Sequence, residues 1–143
     1  VIILKILIPV DGSGCSIWAT RFVAEQFVKL PALEVHLLNV QPLGDDWMIR
    51  RMIRDIELTT LEQDWGNSAI EPANVLLQEA GISARSHVVQ GDVASTIVRL
   101  AEELGCDQIV MGSHGRTGLS GLMMGSIASK VMHLAQLPIT FIK

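Results

Sequence analysis

Residues 112–126 read GSHGRTGLSGLMMGS, and this stretch decides the fold. Gly112, Gly115 and Gly125 stand in the spacing G-x2-G-x9-G, followed at once by the hydroxyl residue Ser126. The apolar run Gln108-Ile-Val-Met111 before it predicts a buried strand, and Ser126 to Leu137 after it predicts a helix. A strand, a glycine loop and a helix N-terminus in that order form an anion site for a physical reason. The first helical N–H groups have no intrahelical partner, point into the loop and carry about half a positive charge. Glycines let the backbone approach an anion and take positive φ at no steric cost. The stretch therefore predicts phosphate contacts along Gly112, Ser113, His114, Gly115, Arg116 and Gly125, and at Ser126 and Ile127 through their N–H groups with the Ser126 hydroxyl as a further donor; Ser126 also reads as an ordinary N-cap, and His114 as a plain loop residue. Glycines also cluster simply to turn a chain; here the strand and helix flanks favour the functional reading. No Gly-Lys-Ser/Thr occurs in the chain, so this is not a Walker loop, and it lacks the G-x-G-x-x-G of dinucleotide sites.

Working outward, apolar runs alternate with helical patterns over the whole chain. Strand one is expected at about 3–10, then a helix from Ser13 or Ser16 to about Lys29 with Ile17, Ala24, Phe27 and Val28 inward. Strand two is expected near 34–40, strand three near 83–90, and a helix over Val93–Leu104 closed by Gly105. Strand four falls near 107–112, the last helix near 125–136 and strand five near 138–142. Such alternation predicts an α/β fold, a parallel sheet with helices on both faces. Right-handed crossovers favour strand order 3-2-1-4-5, with ligands bound beyond the carboxyl ends of strands one and four. The turn Pro9–Ser13 and the glycine loop both lie there. Asp11 could accept from ribose hydroxyls or help hold a metal, or simply cap its own turn.

Between 45 and 81 the pattern is harder to read. Asp45 and Asp46 can cap a helix through Trp47, Ile49, Ile53, Ile56 and Leu61. Trp65-Gly66-Asn67 then reads as a break, and Pro72 as the first turn of a second helix ending near Gly81. A pair of crossover helices is the plain reading, a flap beside the ligand the alternative. Arg50, Arg51 and Arg54 read as a solvated helix face.

The length of 143 residues fits one domain, and 49% hydrophobic with 18% charged residues fits a substantial core. A net charge of −4 argues against a nucleic-acid partner. No apolar run reaches the roughly 20 residues of a membrane span. The start Val1–Val10 reads as a strand and not as a signal peptide. Cys15 and Cys106 are expected as reduced thiols of a cytoplasmic protein. His36, His87, His114 and His133 are scattered, without metal-ligand spacing.

These motifs together resemble the ATP-binding branch of the universal stress proteins. Lys5-Ile-Leu-Ile-Pro-Val-Asp-Gly-Ser13 resembles that family's opening strand and turn, and Leu37-Leu-Asn-Val40 its second strand. Gly91-Asp92 resembles its third-strand exit, and Leu137-Pro-Ile-Thr-Phe-Ile142 its closing strand. The resemblance implies a flavodoxin-like sandwich binding ATP (or AMP or ADP) and forming homodimers. It also implies a role in stress response as a regulator or sensor. It tips Pro9, Val10 and Asp11 towards nucleotide contact, gives the Val40 backbone the adenine edge and leaves Met111 to pad the base or the core. Mg²⁺ would accompany a triphosphate. The closing strand 138–143 is an apolar edge that a second subunit would cover. No dedicated catalyst is visible, although weak ATP hydrolysis is compatible with the residues. The rival readings are an ATPase or adenylyl-transfer enzyme, and an interaction domain binding AMP or nothing.

Overall fold

The expected alternation is present in the computed structural model, which describes residues 2–42, 55–115 and 124–143. Among them the order is β1 (Leu4–Pro9), α1 (Gly14–Phe27), β2 (Leu33–Gln41), α2 (Asp55–Glu79), β3 (Ala84–Gln90), α3 (Val93–Glu103), β4 (Gln108–Gly112), α4 (Ser126–Leu134) and β5 (Ile139–Ile142). Every strand pair is parallel, and the sheet runs β3-β2-β1-β4-β5, the predicted flavodoxin-like order.

Strand alternation sends side chains to two cores. Ile6, Ile8, Val35, Leu37 and Val110 pack with Val23 of α1 and with Ile70, Ala73 and Leu77 of α2. On the other face, Leu7, Leu38, Ile109 and Met111 pack with Ile97 and Ala101 of α3 and with Ala128 and Val131 of α4. Within α1 the inward stripe is Ser16, Ala19, Thr20, Val23 and Ala24. Two hydroxyls sit in it because each finds a backbone acceptor: Ser16 Oγ donates to the Ser13 carbonyl at 2.9 Å and Thr20 Oγ1 to the Ser16 carbonyl at 2.8 Å. Val28, expected inward, caps the helix and is exposed, because the helix ends a residue earlier at Phe27.

The segment after β2 departs from expectation. Among the described residues a single helix, Asp55–Glu79, runs through both the expected break and Pro72. Gly66 is there for proximity and not for a turn. A Cβ on it would collide with the Val88 Cγ1 atom, lie 2.8 Å from Val88 Cγ2 and lie 3.1 Å from Asn39 Oδ1. Pro72 is tolerated because it and Ser68, whose carbonyl it deprives of a donor, are both exposed, so water can satisfy that oxygen. Asp45, Asp46, Trp47, Ile49, Ile53 and the arginines 50, 51 and 54 lie outside the described residues. So the flap alternative does too.

Histidines that are scattered in sequence meet across β2 and β3. His36, 1% exposed, has its Nδ1 2.9 Å from His87 Nε2 and its Nε2 2.7 Å from Glu34 Oε1. An ionised Glu34 takes the Nε2 proton of His36 as its donor, which leaves Nδ1 to accept from His87. Among the described residues no helix is long and apolar enough to cross a membrane.

Candidate functional site

β1 stops at Pro9, and the chain turns through Val10 and Asp11 into α1. Val10 N–H still donates to the Leu38 carbonyl at 2.8 Å, so the turn remains fastened to β2. The Val10 side chain belongs to the core, which leaves its backbone for the crevice. Asp11 Oδ1 accepts from Ser13 N–H at 2.9 Å, the turn-capping role. Its second oxygen points elsewhere: a Cβ on Gly115 would lie 2.8 Å from Oδ2. Gly12 takes φ 85°, the left-handed conformation that favours glycine.

Across the crevice, β4 leads into the glycine loop. A Cβ on Gly112 would lie 2.6 Å from Cys15 Cβ and 3.0 Å from the Cys15 carbonyl carbon. The end of β4 therefore rests directly on the first turn of α1. Ser113 is 3% exposed and fully engaged. Its N–H donates to Ile142 of β5 at 2.8 Å, its carbonyl accepts from Gly125 N–H at 2.8 Å, and its Oγ lies 2.9 Å from His114 Nδ1. This serine ties the two ends of the loop together.

Two expectations need correcting. Gly112, Gly115 and Gly125 are absent from the positive-φ glycines, so close approach and not left-handed backbone explains them. At Gly125, for example, a Cβ would lie 3.2 Å from the Ser113 carbonyl oxygen. Ser126, weighed as an N-cap, is the first helical residue; Gly125 is the N-cap and makes no side-chain cap hydrogen bond. The first-turn N–H groups of α4, including those of Ser126 and Ile127, are thus not capped by that residue's side chain. Ser126 itself is exposed.

The remaining predicted residues divide. Pro9, Asp11 and Gly115 gather where β1 and β4 end, as the strand order requires. Val40, the last residue but one of β2, is half-buried against the α3–α4 core, and Met111 is 5% exposed within that core. Arg116 lies outside the described residues.

One residue at this edge was missed from sequence. Asn39 is 5% exposed, donates Nδ2–H to the Val10 carbonyl at 2.8 Å and accepts Gln41 Nε2–H at Oδ1 at 2.6 Å. The available signal was a lone amide inside the apolar run Leu37-Leu-Asn-Val40, since buried polar groups demand partners.

A five-stranded doubly wound parallel sheet with a glycine loop at its switch point defines a flavodoxin-like α/β protein. Residues 3–143 match the model of the universal stress protein family, and the chain belongs to that family. It is 28% identical to universal stress protein MJ0531 of Methanocaldococcus jannaschii over 97% of this chain and 81% of that protein. The solved structure of MJ0577, from the same organism, superposes with TM-score 0.86 at 30% identity, covering 100% of this chain and 97% of that one. An Archaeoglobus fulgidus universal stress protein solved in complex with dAMP superposes with TM-score 0.70 at 23% identity, covering 100% of both chains.

Proposed function

We propose that this chain is a single-domain, cytoplasmic ATP-binding regulator of a stress response, with the nucleotide held between the Asp11 turn and the glycine loop. The observation that carries this is the convergence of the two loops, with Asp11 Oδ2 in contact range of Gly115. Phosphates would lie along Gly115, Gly125 and the open first turn of α4, where the N–H groups of Ser126 and Ile127 and the Ser126 hydroxyl can donate. Arg116 and His114 would add to the charge complement. Asp11, whose Oδ2 has no hydrogen-bond partner among the described residues, would take ribose hydroxyls, and the backbone at Pro9, Val10 and Val40 would border the base. The dAMP bound by the A. fulgidus relative supports an adenine ligand.

Mg²⁺ would come with a triphosphate. Among the described residues no group of three or more His, Cys, Asp or Glu side chains could hold a metal. Phosphate oxygens and water would therefore supply most of its ligands, with Asp11 the carboxylate at hand.

Calorimetric titration tests the reading. Loop and hydroxyl donors to phosphate each contribute about 1.5–3 kcal/mol at best, so ATP should bind at least an order of magnitude more tightly than adenosine. Equal affinities would reduce the loop to a turn. Acid extraction of the purified protein identifies the nucleotide it carries.

Dimerisation belongs to the same proposal. β5 is an edge strand whose Ile139, Thr140, Phe141 and Ile142 are all half-buried. Antiparallel pairing with the same strand of a second copy across 138–143 would cover it. The Pro138 and Ile142 carbonyls accept from the β4 side, so Thr140 faces β4 as well and the Ile139 and Phe141 N–H groups face the open edge. Ile139→Pro removes one of these and Phe141→Lys adds a charge, and either should convert a sedimenting dimer to monomer. A wild-type monomer at micromolar concentration would overturn this interface.

A further inference from the structure

We infer that Asn39 is a positioning residue for the nucleotide site, acting through the Val10 carbonyl on the turn that aims Asp11. The inference rests on the nucleotide-binding reading and adds a residue that touches no ligand. Asn39 stands opposite Val88 in the sheet, with its side chain on the face covered by α2. Three constraints hold its amide. Nδ2 donates to Val10 O at 2.8 Å, Oδ1 accepts from Gln41 at 2.6 Å, and Gly66 of α2 passes so close that a Cβ there would lie 3.1 Å from Oδ1.

The amide is oriented from both ends, since one atom must donate and the other must accept. No hydrocarbon of that shape can do this, and neither can an ionised aspartate. The chain from α2 through Asn39 to Val10 is short and buried, and Asp11 is the next residue. Asp11 Oδ1 then caps Ser13 while Oδ2 reaches towards Gly115. Releasing the Val10 carbonyl lets that carboxylate drift and leaves a buried polar group without its partner.

Asn39→Asp keeps the shape and turns the donor into an acceptor facing a carbonyl oxygen. Asn39→Leu removes the donor, and Gln41→Leu, at a half-exposed position, loosens the amide from its other end if the first two fold poorly. ATP affinity should fall about tenfold or more for either Asn39 variant, and severalfold for Gln41→Leu. In an Asp11→Ala background the same Asn39 change should cost less than about threefold, because the group it aims is gone. Amide exchange on the ligand-free protein supplies an independent reading. The Ser13 N–H should lose protection in the variants while core amides such as those of Leu37 and Ile109 keep theirs.

A wild-type protein that binds no ATP would defeat the nucleotide reading while the Ser13 exchange still tests the turn. The positioning role itself is overturned by folded Asn39 variants that bind ATP within about twofold of wild type. It is equally overturned by losses that multiply fully with Asp11→Ala, or by Ser13 protection that is unchanged.

Discussion

At the carboxyl edge of the sheet the buried polar groups are amides, hydroxyls and backbone: Asn39, Ser113 and the Val10 carbonyl. Nearer the amino ends, on the α3–α4 face, Lys5, Glu34, Arg85, His36 and His87 come together instead. In the first network the Asn39–Val10 contact has one protonation state at ordinary pH, so its geometry is constant while a charged ligand arrives. The second can change charge. Glu34 is held below the usual carboxylate range, chiefly by the hydrogen bond from His36, with Lys5, His36 and Arg85 adding attraction against its desolvation. His87 is pushed below the ordinary histidine value, first by burial, then by His36 and Arg85. The half-buried Cys106 thiol beside this cluster is raised to about 11, mainly by desolvation and then by Glu34. One sheet thus separates an uncharged amide contact behind the Asp11 turn from a cluster in which His87 titrates.

The sharpest way to break this contrast is Gly115→Val. The side chain would enter the space beside Asp11 Oδ2, and ATP affinity should drop by about two orders of magnitude, the equivalent of one or two charge-assisted bonds. Stability should change little, because Gly115 is exposed and the displaced atom is the end of a flexible carboxylate. Undiminished affinity in the folded variant would remove the loop from the site.

Gly112→Ala should behave in the opposite way. Its methyl would meet Cys15 backbone, so the end of β4 and α1 must separate, costing about 1–3 kcal/mol in chemical denaturation. A variant as stable as wild type would mean that β4 and α1 are not in contact.

The smallest effect is expected at the titratable end. His87 has a folded pKa below its unfolded value, so the unfolded chain binds more protons in that range. Its contribution to stability is therefore intact above about pH 6.5 and is lost as pH falls through the lower folded value. Two protonated imidazoles would also place N–H against N–H across the 2.9 Å contact. In His87→Gln, denaturation midpoints should fall less between neutral and mildly acidic pH than in wild type. ATP binding at neutral pH should be unchanged, because the cluster lies away from the crevice. Identical pH profiles would show that His87 does not titrate with folding.

Much of this was legible along the chain. The apolar runs and helical spacing determined the order of elements and, with right-handed crossovers, the strand order. The Asp11 turn and the loop beginning at Gly112 were legible as neighbours because strand order alone brings β1 and β4 together. These features depend on local periodicity and backbone chemistry, which a sequence carries directly. Gly66 was misread because a glycine that breaks a helix and one that admits a strand beneath it are the same letter. Pro72 was misread because what decides its cost is whether the Ser68 carbonyl meets water. The His36–His87 contact joins residues 51 apart, and Asn39 reaches Val10 across 29. Only the tertiary structure could decide these, since strand register and the distance of closest approach between layers are properties of packing and not of any one segment.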